Sequence, residues 1–345
     1  MPAVSPAAEK RFELRPLWHA RVDDYATCID CSADGSLLAV GAASGEVVVF
    51  DGRTGQLRWR SLAHPGGVLA IGFSPASCIL ASAGQDGKAR LHLESGSVLA
   101  QLPGGGGWVD HLAWSHDGGR LATVAGKTVR LWNADGSPLL ETEPHPSAVT
   151  GVAWSRTGAQ LATCCYGGVH LWNVAGGAKA KHLPWKGSLI RLAWSPDDRV
   201  IACASQDCSV HFWRLDTGND SEMTGYPFKP RAIAWDSRGS LLATSGDATI
   251  TCWDFAGKGP EGSTPIQLSG HRTQVTHLSF SPRKAVLASG AQDFSVLVWH
   301  PRKHTSPAGY AFLEDEISGL VWDPEHRSIA AIDGAGNVGC WQPPS

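Results

Sequence analysis

The sequence predicts an all-β chain built as a closed ring of repeated sheets, and three observations carry that reading. Glycine supplies 40 of 345 residues, a content suited to turns, because glycine inside a helix costs roughly 1 kcal/mol relative to alanine. A thirteen-residue phrase recurs eight times along the chain. Most of the 15 tryptophans fall into two columns of that phrase and its sequel. The length of 345 residues exceeds a simple sandwich and suits one large closed architecture.

Four copies of the phrase agree almost letter for letter: HLAWSHDGGRLAT at 111–123, GVAWSRTGAQLAT at 151–163, RLAWSPDDRVIAC at 191–203 and AIAWDSRGSLLAT at 232–244. Weaker copies occupy 28–40, 70–82, 277–289 and 319–331. Their aromatic column runs Cys31, Phe73, Trp114, Trp154, Trp194, Trp235, Phe280 and Trp322; a second column runs Phe50, His92, Trp132, Trp172, Trp213, Trp253, Trp299 and Trp341. The two columns absorb 11 of the 15 tryptophans, so the repeat itself accounts for the enrichment. Within a unit, Val149-Thr150-Gly151-Val152-Ala153-Trp154 alternates as a strand, a Ser-Pro-Asp-Gly type turn follows, Leu161-Ala162-Thr163 opens a second strand and Val169-His170-Leu171-Trp172 forms a third. A variable fourth strand, such as Gln56–Arg60 or Pro138–Leu140, completes the unit. Four strands per unit describe the blade of a propeller, so eight units predict an eight-bladed β-propeller of four-stranded antiparallel blades.

Closure follows from the ends. The eighth unit reaches Trp341 with only Gln342-Pro343-Pro344-Ser345 beyond it, whereas Arg11–Trp18 precede the first unit as an unassigned segment of strand length. That N-terminal strand is expected to complete the last blade, where Pro16 is tolerable on an edge. The organisation expected is a flexible N-terminus at 1–10, a single propeller domain at 11–342 and a tail at 343–345.

Lys plus Arg number 29 against 32 for Asp plus Glu, a net charge of −3, which offers no sequence-wide basic field for nucleic acid or an anionic membrane. No signal-peptide core or transmembrane stretch is evident, so a soluble, cytoplasmic, monomeric chain without nucleic-acid or membrane partners is expected. Nine cysteines then read as reduced thiols packed as small apolar groups. Cys28 and Cys31 form a C-x-x-C, but no second ligand pair accompanies it, and an offset of three on a strand sends the two to opposite faces. Cys164-Cys165, and His170 and His211 at matching third-strand positions, are expected to serve packing. The run Gly104–Gly107 lacks the Lys-Ser/Thr of a phosphate loop and reads as a connector, and 257–265 as a mobile surface loop.

On these columns and repeats the chain resembles the Trp-Asp (WD) repeat β-propeller family over about residues 12–341. The resemblance implies a buried polar network in each blade, linking a His before the first strand, a Ser or Thr in the second, an Asp in the following turn and the third-strand Trp. The seventh unit carries the full set, His271, Ser289, Asp293 and Trp299; the second keeps His64, Ser82 and Asp86 with His92 in place of Trp. Partial sets are His145 with Thr163, Asp207 alone, and Thr244 with Asp247. His271, Ser289 and Asp293 also contain the residue types of a serine hydrolase triad, but the order recurs in part across blades and no nucleophile-elbow glycines surround Ser289. The stretch Asp51–Trp59, a Thr-Gly turn followed by Trp, resembles the docking motif of eight-bladed quinoprotein dehydrogenases, with Trp59 standing alone.

The family resemblance also implies a binding face, the one bearing the entrance to each first strand and the turn between second and third strands. Projected onto this sequence, the partner-binding candidates are Tyr25, Trp108, Asp110, Tyr166, Lys229, Arg231, Gln85, Gln206, Gln292, Gln274 and Glu316. Large aromatic and Arg side chains at such places suit interaction hot spots, so Tyr25, Trp108, Tyr166 and Arg231 lead. The alternatives are that Tyr25 and Trp108 pack under neighbouring loops and that the glutamines brace their turns. The function expected is a non-catalytic scaffold binding a protein or peptide partner, with no cofactor, no metal and no catalytic residues. The alternatives are a metal-linked accessory protein and a quinoprotein-like enzyme.

Overall fold

The computed structural model describes residues 12–176, 179–257 and 259–344; the stretch expected to be flexible at 1–10, Lys258 of the wide loop and Ser345 of the tail lie outside them. Side-chain alternation sets the packing of every repeat. In Leu37–Ala42, Leu38, Val40 and Ala42 enter one apolar cluster while Leu37 and Ala39 enter the next, as a period of two along a strand requires. Both faces of the sheet are therefore dry. Each burial of a Val or Leu side chain is worth about 1.5–3 kcal/mol, which a repeat can gain only from its neighbours.

That sharing continues along the chain. Val47 and Val49 pack with Val68 and Leu80 of the following repeat, Leu91 with Leu121 and Trp132, Leu131 with Trp154 and Leu161, and Leu171 with Ile201 and Trp213. Phe212 then meets Leu242 and Phe255, Leu241 and Ile250 meet Leu287 and Trp299, and Val296 and Val298 meet Ile329 and Trp341. The ring closes where Trp18, Val338 and Ile332 pack with Val40, Val48 and Phe50.

The first aromatic column adds a polar stitch to this packing. The indole N–H of Trp114 donates to Gly72 O at 2.9 Å, that of Trp154 to Ala113 O at 2.9 Å, and that of Trp322 to Ser279 O at 2.9 Å. Each bond runs to the preceding repeat, which explains why the column favours Trp over Phe. The turn after the inner strand is pinned by a serine in most repeats, with Asp236 and Asp323 taking that place in the sixth and eighth: Ser115 Oγ donates to Asp117 Oδ1 at 2.6 Å and accepts from Arg120 N at 2.9 Å. Gly118 beside it adopts φ +67°, a left-handed conformation that costs glycine nothing; Asp198 and His326 occupy the same place at +60° and +61°.

The expected blade count requires correction. The described strands form seven hydrogen-bonded blades, not eight: five of four strands, one of five and one of six. The fourth and fifth repeats share the six-stranded blade because Lys179–Trp194 is one unbroken strand. Its first part pairs with Gln160–Asn173 and its second with Val200–Ser205. Where other repeats loop from outer strand to next inner strand, 184–188 stays extended, and Ser188 pairs with Tyr166.

The chain's leading segment joins two blades. Arg15–Arg21 pairs antiparallel with Asn337–Gln342 as the outermost strand of the last blade, and Pro16 sits on that edge, where the missing N–H is harmless. This strand extends three residues beyond the segment expected from the sequence. Before it, Phe12–Glu13 adds a short parallel strand to Gly309–Phe312 of the neighbouring blade, and Leu14 is buried between the two, in the cluster of Val298, Ile317 and Trp322. Trp18 is anchored by donation from its indole N–H to Gly52 O at 3.1 Å. Replacing Trp18 with Ala is expected to cost about 3–5 kcal/mol in urea unfolding, whereas a loss below about 1 kcal/mol would show that closure does not rest on this side chain.

Candidate functional site

The inner strands surround a central channel, and a backbone irregularity decides what faces it. Pairing with the second strand skips one residue near the start of the inner strand in six repeats, at Thr27, Leu69, Asp110, Ile190, Thr276 and Ser318. Such a bulge re-aims its side chain. Where the bulged residue bears a hydroxyl, it reaches the next repeat: Thr27 Oγ1 donates to Val68 O at 2.8 Å, Thr276 Oγ1 to Ile317 O at 3.1 Å and Ser318 Oγ to Ala26 O at 2.6 Å. Thr150, just before its strand, does the same to Leu189 O at 2.6 Å. Asp110 and Arg231, at the matching positions of their repeats, replace the hydroxyl with charge.

At the entrance the channel widens into a cavity of about 510 Å³ that brings together Tyr25, Asp110, Arg231 and Glu316, four of the candidates projected from the sequence. Glu316 accepts from Gln292 Nε2 at 3.3 Å. Burial, and the carboxylates of Glu316 and Asp315, push the Tyr25 phenol up. The same cavity contains Arg191, His111 and His277, which sequence reasoning missed. They share one inner-strand column with Cys28, Ala70, Gly151, Ala232 and Gly319, and a column of mostly small residues interrupted by one Arg and two His was the available signal. Arg191 Nε donates to Arg231 O at 3.2 Å. Burial, and then Arg191 itself, pushes the His277 imidazole down to about 4.

The remaining candidates lie around this mouth. Trp108 is 59% exposed, Tyr166 58% and Tyr25 39%, so none of the three is packed away beneath a loop. Phe228, 55% exposed, and Phe294, 42% exposed, lie on the same connections and were not singled out. Gln85 and Gln206 tie their turns through backbone N–H bonds to Gly67 O and Ser188 O, and Gln292 N donates to Gln274 O at 3.2 Å. Lys229 is exposed and outside the cavity lining.

The network residues lie within the blades, away from the channel. His271 Nε2 lies 2.6 Å from Ser289 Oγ, while its Nδ1 lies 2.8 Å from Ser295 Oγ and 3.3 Å from Asp293 Oδ1. Trp299 Nε1 donates to Ser289 Oγ at 2.8 Å. Distances alone would admit a hydrolase triad, but Ser289 is fully buried and its hydroxyl is engaged by both the imidazole and the indole. Burial works to raise the Asp293 carboxyl, yet bonds from His271, Arg272 N–H and Ser295 hold it well below the usual range. In the second repeat His64 bridges Ser82 Oγ at 2.7 Å and Asp86 Oδ1 at 2.8 Å, and His92 Nε2 lies 2.8 Å from Ser82 Oγ in the absent tryptophan's place. Tyr226 fills the His place of the sixth repeat, bonded to Thr244 Oγ1 at 2.8 Å and accepting from Trp253 Nε1 at 2.8 Å. Its spacing of 18 residues to Thr244 equals that of His271 to Ser289, a signal present in the sequence.

The competing motifs take structural places. Cys28 packs in the cluster between the first and second repeats and Cys31 in the ring-closing one, on opposite faces of their strand. Among the described residues no group of three or more His, Cys, Asp or Glu is placed to hold a metal, and no helix is long and apolar enough to cross a membrane. Trp59 lies against Gly96, and Trp18 makes the matching contact on Gly55; a Cβ added at either glycine would meet the indole within 2.8 Å. Trp59 and Trp18 are thus docked in the same way. His170 stacks on His182 at 4.6 Å and His211 on Trp185 at 3.9 Å.

Buried histidines make stability acid-sensitive. Burial pushes His92 and His277 down to about 4, so below about pH 6.5 the unfolded chain binds more protons than the folded one and stability falls on acidification. Asp30, raised by burial to about 6, opposes this between pH 6 and 4 by taking up its proton while still folded. His92→Asn is expected to flatten the decline between pH 6.5 and 4 in guanidinium melts; an unchanged slope would contradict the assignment.

Comparison with known proteins agrees with this architecture. The family described as WD domain, G-beta repeat matches residues 56–92, 96–133, 136–173, 181–214, 222–254 and 262–300. WD repeat-containing protein 1 of Mus musculus is 33% identical over 90 residues, 25% of this chain and 15% of that protein. Coronin-7 of Homo sapiens is 32% identical over 119 residues, 33% of this chain and 13% of that protein. Actin-interacting protein 1 of Caenorhabditis elegans is 25% identical over 154 residues, 43% of this chain and 25% of that protein. The matches thus span a quarter or less of each of these relatives. The crystal structure of the computationally designed Ika8 protein superposes with a TM-score of 0.81 at 22% identity, covering 96% of this chain and 100% of that one, and shares the fold. With six matched repeats covering more than half of its length, the chain belongs to the WD-repeat family of β-propellers.

Proposed function

We propose that this propeller is a non-catalytic scaffold that binds a protein or peptide partner on its entrance face. The observation that carries this reading is the combination, at one end of the channel, of a 510 Å³ polar cavity with exposed Trp108, Tyr166, Tyr25, Phe228 and Phe294 on the surrounding connections. Exposed aromatics gain nothing from water, and in a rigid frame they lose little side-chain entropy when covered, which is why such residues dominate interaction hot spots. Propellers of this family are typically interaction scaffolds, and a relative named for its interaction with actin aligns with 43% of this chain. The polar groups that resemble a catalytic set, His271, Ser289 and Asp293, are buried within a blade with their bonds satisfied, which favours a structural over a chemical role.

Affinity capture with the full chain, compared with a Tyr25→Ala, Trp108→Ala, Arg231→Ala variant, tests the site. The variant is expected to keep its melting temperature, because all three side chains are at least partly solvent-exposed, and to lose at least about tenfold in partner affinity. Partners retained at unchanged affinity would remove the entrance face from the account, and turnover by the purified chain on a hydrolase or quinone-dependent redox panel would overturn the scaffold reading.

A further inference from the structure

The chemistry of the channel mouth specifies what kind of partner group it receives; this deepens the scaffold reading and rests on it. Arg191 is fixed through its Nε–H, which donates to Arg231 O of the next repeat at 3.2 Å. Among the described residues neither terminal nitrogen of Arg191, nor the Arg231 guanidinium, has a hydrogen-bond or ion-pair partner. Two guanidinium groups therefore line one cavity with their terminal donors unspent. A guanidinium presents paired N–H donors in a planar fork matched to carboxylate and phosphate oxygens.

The other charged and titratable groups of the cavity choose between those anions. Asp110 lines the same mouth, and its Oδ1 is buried without a hydrogen-bond partner. Glu316 is engaged by Gln292. Burial, and then Arg191, works against protonation of His277; burial also pushes the His111 imidazole down, with Asp110 opposing and Arg191 adding to the shift. Two Arg are thus balanced by two carboxylates. The mouth is therefore neutral as it stands, so a phosphate dianion would leave two negative charges in excess beside Asp110, whereas a carboxylate leaves only one. The orphaned Asp110 oxygen calls for a donor beside that carboxylate, which the backbone N–H of a peptide or an adjacent Lys or Arg supplies.

We propose that the channel mouth anchors a single acidic side chain of a bound peptide on Arg191 and Arg231, with a hydrogen-bond donor of the same peptide on Asp110. The acidic group enters the cavity while neighbouring residues of the peptide cross the exposed aromatics of the rim. Arg191 acts as the fixed clamp, because its bond to Arg231 O orients the fork before the ligand arrives.

A random dodecapeptide display library panned on the full-length protein tests this. Recovered sequences are expected to share an Asp or Glu, to lose about tenfold or more in affinity on Arg191→Met and on Arg231→Met, and to retain part of it on Arg191→Lys, which keeps the charge without the fork. Melting temperatures of these variants, expected to match the parent, separate a lost anchor from a lost fold. Recovery of no peptide, of peptides without acidic residues, or of peptides indifferent to both Met variants would overturn the proposal. So would saturation of the site by inorganic phosphate or acetate alone, by calorimetry, at the concentrations where peptides bind. Peptides that depend on Trp108 and Tyr166 but ignore both Met variants would overturn the anchor and leave the scaffold reading standing; peptides indifferent to all four positions would overturn both.

Discussion

Every repeat of this chain has two apolar faces and only one sheet to bury them with, so none is stable without a neighbour on each side. That constraint makes the join between the two ends of the chain decisive. Arg15–Arg21 pairs with Asn337–Gln342, Trp18 seals the cluster shared by the last and first repeats, and Ser318 Oγ donates to Ala26 O across 292 positions of sequence. Leu14 and the parallel strand Phe12–Glu13 extend the join to the neighbouring blade. An open ring would expose Val40, Val48 and Ile332 to water at about 25 cal/mol per Å² of apolar area.

The closed frame holds polar groups both within the blades and at the channel mouth. Within the blades His92 Nδ1, Trp194 Nε1 and both ring nitrogens of His170 are buried without a hydrogen-bond partner, whereas the network residues are satisfied: His271, Ser289, Ser295 and Trp299 bond one another, as do Tyr226, Thr244 and Trp253. Their deletion would leave buried donors unpaired, at about 1–3 kcal/mol each. Those at the channel mouth are not satisfied: Asp110 Oδ1 lacks a partner, and Arg191 has terminal N–H groups to spare. In a rigid ring such unspent groups cannot relax toward one another, and an incoming ligand is what can complete them.

The repeat and its strands were legible in the sequence because both follow from short-range physics, alternation and turn chemistry, while the place of the third-strand tryptophans in a buried network came from the family resemblance. The number of separate blades was not. Whether 184–188 loops or stays extended depends on the pairing of Ser188 with Tyr166, a tertiary contact that no local propensity announces. Of the site, Tyr25, Asp110, Arg231 and Glu316 were legible because they sit at fixed offsets from the repeat phrase. Arg191, His111 and His277 were passed over because a bulge one residue earlier shifts which positions of the inner strand reach the channel. Tyr226 was hidden by a change of residue type at conserved spacing within the chain, a phenol doing the work of an imidazole.

Backbone hydrogen exchange tests the central constraint most directly, comparing the parent with a chain lacking residues 1–21. If closure by the leading strand holds the ring, protection should fall together in Ile329–Asp333, Asn337–Gln342 and Leu37–Ala42, the strands on both sides of the join. Full protection retained in all three after the deletion would contradict the account.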